Sequence, residues 1–239
     1  MKALLLAAGE GTRLGALTSH RPKPMIEIGG RPILEYNVRL LARHGYRDVV
    51  INLHHCPSVI TSHFGDGSAF GVNISYSFEP TLLGTAGAAK NVFRPSGGPF
   101  LVIYADNLTN CNLSELAEFH RSKNAAATMA LIYRENATAS GVAELGSDQK
   151  LVRFVEKPQS HQVFSPWVSA GILLLEPKVL DFIPATPPSD FGRDVFPALL
   201  AADLPVCGFK LSDGLWWIDS PADLDRTRRM FSSGQVNLP

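Results

Sequence analysis

Cysteine is scarce. The chain has three in 239 residues, Cys56, Cys111 and Cys207, too scattered for a CxxC pair or a disulfide framework, so they read as reduced, packed thiols. A charge imbalance is missing as well: Lys and Arg total 22, and so do Asp and Glu. No global field therefore draws the chain to nucleic acid or to an anionic membrane, and any phosphate recognition has to be local. The apolar stretch after Met1-Lys2 is too brief for a spanning helix and lacks a signal-peptide cleavage pattern, which makes the cytoplasm the expected compartment. Internal repeats and low-complexity tracts are absent, apart from a short proline-rich connector at residues 184–188. Two familiar phosphate motifs are missing too. The glycines at 9, 11 and 15 run G-x-G-x-x-x-G, one residue too long for the dinucleotide fingerprint, and no Gly-Lys-Ser/Thr tripeptide occurs. Adjacent His54 and His55, with His63 nearby, do not meet zinc spacing.

What is present is an ordinary globular composition, 45% hydrophobic and 18% charged, in a chain long enough for one domain or at most two. Residues 3–8 form an unbroken apolar run that predicts a strand buried on both faces of a parallel sheet. Gly9, Gly11 and Gly15 then allow the backbone to turn and approach a ligand, and Arg13 and Lys23 bring two cations to the same stretch. A buried strand ending in bare backbone and fixed positive charge is how α/β folds hold phosphates.

Further on, Leu34, Val38 and Leu41 recur at helical spacing up to Gly45, and residues 48–53 read as the next strand, giving a βαβ unit. Pro57 can open a short helix, and residues 72–78 alternate as a strand. In the segment 79–90, Thr85 is a candidate N-cap, and the small residues after it would let a helix N-terminus come close to a planar or anionic group. Residues 100–104 form another buried strand leading into Asp106, a hard oxygen ligand at the ligand face of the sheet and so a candidate for Mg²⁺. Asn112 with Glu115 predicts a helix start over 113–121. After a strand at 126–133, strand signals at 142–145, 151–156 and 167–175 follow without long helices between them, a hairpin-like insertion suited to a lid. Pro177 opens a short helix, 205–211 returns as a strand, and Ser220-Pro221 caps a last helix.

Residues 6–14, LAAGEGTRL, followed by RPKPM at 21–25, resemble the signature of sugar-1-phosphate nucleotidylyltransferases, and Glu79 with residues 190–197 brings the resemblance closest to mannose- and heptose-1-phosphate guanylyltransferases. That resemblance implies a single domain over 1–239. Its fold would be a Rossmann-like three-layer α/β one, with a mixed, mostly parallel sheet and a small β-rich lid on the sugar side. Residues 1–133 would mainly bind nucleotide and 134–239 mainly sugar phosphate. Arg13, Lys23 and Asp106 would be catalytic. Leu6, Ala8, Gly9, Gly11, Thr12, Gly84, Thr85 and Gly87 would line the nucleotide, with Glu79 reading the base edge. An ionised carboxylate only accepts hydrogen bonds, which favours the paired donors of guanine. Glu156-Lys157-Pro158 matches the family's E-K-P, putting Lys157 on the sugar phosphate and Glu156 on sugar hydroxyls, with the backbone of Gly141 against the sugar.

Three departures matter. Ser169 stands where the family usually has Asn, Ala105 where it has Gly, and Trp217 falls on the usual second metal-binding Asp, so that Asp219 is taken as the second Mg²⁺ ligand with Asp106. Residues 190–197 resemble a segment of mannose-type guanylyltransferases, whereas Ala8 replaces a glycine common among them. The implied partners are a nucleoside triphosphate, GTP by preference, and a mannose- or heptose-like 1-phosphate, with no nucleic acid or membrane; a homo-oligomer is compatible with the reading. Uridylyl, thymidylyl and cytidylyl transfer remain alternatives, as does a non-catalytic paralogue that senses nucleotide sugars.

Overall fold

The computed structural model describes residues 1–212, 214–236 and 238, which fall into two compact units. The first comprises Met1–Leu82, Ile103–Cys111 and the described residues from Gly214 onward; the second comprises Leu83–Val102 and 112–212.

The first unit starts with β1 (Lys2–Leu6), in which Ala3, Leu4 and Leu5 are fully buried as an uninterrupted apolar strand requires. The strand stops two residues short of the apolar run because the Ala7 N–H donates to the side chain of Asn52 instead of continuing the ladder. A small ribbon, β2 (Glu27–Ile28) with β3 (Arg31–Pro32), leads into helix α1 (Ile33–Arg43). The helix buries Ile33, Leu34, Val38 and Leu41 on one face. Next come β4 (Asp48–Leu53), α2 (Pro57–Phe64) with proline in its first turn, and β5 (Asn73–Phe78). Strand β4 lies parallel between β1 and β5, pairing Asn52 with Leu6 on one side and Leu53 with Phe78 on the other. This register brings the carboxyl ends of three strands level, so the residues that follow each of them share one edge of the sheet.

In the second unit, α3 (Gly84–Val92) precedes β6 (Phe100–Tyr104), whose last two residues belong to the first unit, as does β7 (Asn107–Thr109). Helix α4 (Leu113–Ser122) is capped by Asn112, whose side-chain oxygen accepts from the N–H groups of Ser114 and Glu115, as the sequence predicts. Strand β8 (Ala127–Tyr133) is followed by β9 (Val142–Leu145), β10 (Leu151–Val155) and β11 (Trp167–Leu175). Strand β9 pairs antiparallel with both β10 and β11, so the expected hairpin joins the sheet. Helix α5 (Phe196–Ala201) and β12 (Val206–Lys210), parallel to β8, complete the unit. The chain returns to the first unit through β13 (Leu215–Trp217) and α6 (Pro221–Ser232), capped by Ser220. Parallel and antiparallel pairs thus coexist, the mixed α/β architecture that the sequence implies.

One buried histidine in α4 carries a pH consequence. His120 is 2% exposed, with Nδ1 2.8 Å from the Thr128 hydroxyl and Nε2 3.3 Å from a Glu176 carboxylate oxygen. Burial pushes its pKa below the usual imidazole value, and Glu176 only partly offsets that. The unfolded chain therefore takes up the proton more readily than the folded one. Stability is complete above the ordinary imidazole pKa of about 6.5 and declines as the pH falls from there towards the folded-state value, by at most about 1.4 kcal/mol per pH unit for one proton. Urea midpoints measured across that range should fall less steeply for His120→Gln than for the parent; identical slopes would remove His120 as the cause.

Candidate functional site

In the first unit, four of the sequence-predicted residues meet. Lys23 sits in a short 3₁₀ turn, Lys23–Met25, between two prolines, with its side chain only 6% exposed. Its ammonium donates to Asp106 Oδ2 at 2.7 Å and to Asp219 Oδ1 at 2.8 Å. Arg13, mostly exposed, donates to the same Asp219 oxygen at 3.0 Å. Burial alone would lower the Lys23 pKa, but the charges and hydrogen bonds of Asp106 and then Asp219 outweigh it, and the net shift is upward. The ammonium is fixed in its charged form.

Sheet register explains how acids 113 positions apart come together. Antiparallel β7 and β13 pair Asn107 with Trp217. Asp106 immediately precedes Asn107 and Asp219 follows Trp217 by two, so both acids emerge at the same end of this ribbon. Trp217 is a ladder residue here, which is why the acid two positions later faces Lys23. The ribbon is anchored through Leu108 and Ile218 in a buried cluster that also holds Leu14, Ile26, Ile33, Tyr36 and Leu224. That cluster draws the opening loop, α1, the ribbon and α6 onto one core. From α1, the fully buried Asn37 donates to the carbonyls of Ala105 (3.4 Å) and Asn107 (3.0 Å), clasping the turn that carries Asp106.

Around this cluster runs the opening loop. The Leu6 carbonyl accepts from the Ala105 N–H at 3.1 Å, and Ala8 is buried. A side chain at Gly9 would meet open space, so the protein's own packing does not require glycine there. Gly11 lies against the Lys23 side chain, and Thr12 opens a 3₁₀ stretch, Thr12–Thr18. Glu79, directly after β5, is 1% exposed, and its Oε1 accepts from the Asn52 amide at 2.8 Å. It is turned into the protein and not into solvent.

The second unit holds the remaining candidates. Gly84 opens α3 at φ +78, and a Cβ there would collide with the Ser189 backbone, whose carbonyl accepts from the N–H groups of Ala86 and Gly87. The N-cap is Leu83, one residue before the helix, so Thr85 is not the cap that the sequence suggests. Its hydroxyl is taken by tertiary partners: it donates to Asp190 Oδ2 at 2.8 Å and accepts from the Phe191 N–H at 3.0 Å. Glu156 lies where a Cβ on either Gly141 or Gly192 would strike its carboxylate. Burial raises its pKa, and neighbouring Asp190 adds to the shift. Lys157 has a φ of 46, a region rarely used by residues other than glycine, and its N–H donates to the Ser140 carbonyl at 3.3 Å. Its ammonium is exposed, 3.9 Å from Glu156. Ser169 precedes a bulge in β11; its N–H donates to the Gly141 carbonyl at 2.8 Å, and its hydroxyl accepts from the Gly171 N–H at 3.3 Å.

Asn37, Asn52 and Asp190 support these residues; sequence reasoning passed over the two asparagines and took Asp190 only as part of the 190–197 segment. The two asparagines could have been noticed as amides inside otherwise apolar runs. Among the described residues, no group of three or more His, Cys, Asp and Glu side chains is gathered as a metal site.

A glycine-rich loop at the carboxyl end of a parallel strand is an arrangement that α/β proteins use to bind phosphates. A family model described as nucleotidyl transferase matches residues 2–219, and the chain belongs to that family. It is 36% identical over 233 residues to a UTP--glucose-1-phosphate uridylyltransferase of Synechocystis, covering 92% of this chain and 60% of the relative. It is 34% identical over 228 residues to a mannose-1-phosphate guanylyltransferase of Mycobacterium tuberculosis, covering 94% and 62%. The chain thus spans about three-fifths of the length of these curated relatives. The crystal structure of HddC from Yersinia pseudotuberculosis shares the fold, with a TM-score of 0.80 at 21% identity over 96% of this chain and 99% of that one. Among the described residues no helix is long and apolar enough to cross a membrane.

Gly84 offers a direct test of how α3 is held. Gly84→Ala imposes a left-handed conformation on a residue with a side chain, at a cost of about 1–3 kcal/mol, and the collision with the Ser189 backbone adds to it. A clear drop in the urea midpoint is expected, and an unchanged midpoint would contradict the packing described.

Proposed function

We propose that the chain transfers a nucleotidyl group from a nucleoside triphosphate, GTP by preference, to a sugar 1-phosphate of mannose or heptose type, releasing pyrophosphate. The observation that carries this is the Lys23 ammonium bridging Asp106 and Asp219 beside a glycine-rich loop. Two carboxylates on one cation are a fitting donor set for Mg²⁺, which is commonly held by one or two carboxylates and completes its shell with substrate phosphates and water. Asp106 and Asp219 would hold it, and when bound it supplies charge neutralisation along the triphosphate.

The chain's own residues do the rest. Loop backbone, Arg13 and Lys23 bind the triphosphate and stabilise the pyrophosphate as it departs, while Lys157 holds the attacking phosphate and Glu156 the sugar hydroxyls. The nucleophile is a phosphate oxygen already ionised at neutral pH, so no general base is required. As its bond to the α-phosphorus forms, the bridging bond to the β-phosphate breaks and the electron pair leaves on pyrophosphate. Catalysis is then positioning and electrostatics.

The acceptor-only carboxylate of Glu79 and the relatives named as guanylyltransferases support guanine. A second reading, uridylyl transfer, is favoured by the inward turn of that carboxylate onto Asn52 and by the Synechocystis relative.

Pyrophosphate release, assayed with Mg²⁺ over four triphosphates and several sugar 1-phosphates, should identify one preferred pair. With that pair, Asp106→Ala should fold normally and lose about a hundredfold or more in kcat. Near-normal turnover by that variant would sink the assignment. No release with any pair, together with tight nucleotide-sugar binding, would turn the reading towards a binding regulator.

A further inference from the structure

The carboxyl end of β4, residues 52–55, carries two histidines and an amide that none of the roles above uses. Asn52, 3% exposed, makes two hydrogen bonds in opposite senses: its Oδ1 accepts from the Ala7 N–H at 2.6 Å, and its Nδ2 donates to Glu79 Oε1 at 2.8 Å. Those two partners fix which end of the amide is oxygen and which is nitrogen. Next along the chain, the Leu53 carbonyl accepts from the Glu79 N–H at 2.8 Å. His54 Nδ1 lies 2.7 Å from the Glu79 carbonyl, which can only accept, so Nδ1 carries the proton. His55 Nε2 donates in the same way to the Thr18 carbonyl at 2.9 Å, and the Thr18 hydroxyl reaches the carbonyls of Gly11 and Gly15, both at 3.1 Å. Four consecutive residues thus grip the glycine-rich loop at both of its ends and Glu79 through both backbone and side chain.

From this we propose that Asn52 is a positioning residue for nucleotide binding, one side chain setting the phosphate-binding loop in register with Glu79. The inference rests on the nucleotide-binding reading of the loop. An amide is the side chain suited to the place. Aspartate would keep the acceptor for Ala7 but turn a second carboxylate on the buried Glu79, and leucine would remove both hydrogen bonds. Because neither Asn52 nor its partners lie among the residues assigned to the sugar phosphate, its loss should register on one substrate and spare the other.

The test compares the parent, Asn52→Asp, and the paired variant Asn52→Asp with Glu79→Gln. The paired variant keeps the acceptor for Ala7 and restores a donor–acceptor pair with reversed polarity. Triphosphate affinity is read by calorimetry for GTP, UTP and dTTP, and the KM for each substrate and kcat are taken with the pair that the release assay selects. Asn52→Asp should weaken triphosphate binding about tenfold or more, the scale of a lost hydrogen bond to a charged group, and leave the KM for sugar phosphate within about twofold. The paired variant should recover binding of at least one triphosphate to within about threefold. If Asn52→Asp alone does not fold, the paired variant still tests the proposal, because once folded it must bind at least one triphosphate and keep the parent's KM for sugar phosphate. Equal losses on both substrates, or a folded paired variant that binds no triphosphate, would overturn the proposal. A parent that binds triphosphate but releases no pyrophosphate would refute the transfer reading and leave the positioning role to be judged by calorimetry alone.

Discussion

An ammonium taken out of water has to be met by negative charge, and in this protein that requirement organises the first unit. Lys23 is nearly inaccessible, and what keeps it charged there is a pair of carboxylates from two other stretches of chain. The dependence is mutual. Asp106 and Asp219 are each about a third exposed and would repel one another without the lysine between them. With Arg13 on the outer side of Asp219, the cluster balances two acids against two cations before any ligand arrives. In the proposed reaction the triphosphate would give Arg13 and Lys23 new anionic partners, and Asp106 and Asp219 would be the side chains left to hold a divalent ion.

Such a cluster has to be held by structure that does not itself depend on the charges. The ribbon of β7 and β13 brings the acids to a common end by ladder register, and the apolar cluster around Leu108 and Ile218 fixes the ribbon to the opening loop and α1. Asn37 then ties the turn around Asp106 to the helix. Its Oδ1 finds no partner among the described residues, a cost of about 1–3 kcal/mol for a buried acceptor. An amide kept in a helix at that cost is better explained by the clasp on residues 105 and 107 than by packing, for which leucine would serve.

Much of this was legible in the residues. The apolar run at 3–8, the helical spacing of Leu34, Val38 and Leu41 and the caps at Asn112 and Ser220 each rest on a local rule, and local rules survive folding. The meeting of Lys23 with Asp106 and Asp219 was legible only through motif order, since nothing local relates positions so far apart. Where local reasoning misled, a tertiary bond had intervened. Thr85 has the chemistry of an N-cap, but Asp190 and Phe191 take its hydroxyl, and the cap falls two residues earlier, at Leu83, before a glycine that fits over Ser189. The apolar run beyond Leu6 leaves the sheet because an asparagine 45 positions away takes its N–H. Asn52 stands out as an amide inside an apolar strand, but what it does has no pattern in the sequence until its two partners are known.

The residues that the proposed function assigns to the sugar follow a different logic, in which confinement takes the place of charge pairing. The Glu156 carboxylate occupies space that Gly141 and Gly192 leave open only by lacking side chains. Its raised pKa shows that ionisation there is opposed by burial and by Asp190, so a partner bearing hydroxyl donors would relieve a carboxylate that the protein leaves under-compensated. Ser169, by contrast, uses its hydroxyl to accept from the Gly171 N–H within its own strand, and that bond holds it short of the reach of an asparagine amide. Under the proposed function, discrimination among sugars would then fall mainly on Glu156. A rigid acceptor is sensitive to the direction from which a hydroxyl approaches, and that direction is what distinguishes one hexose epimer from another.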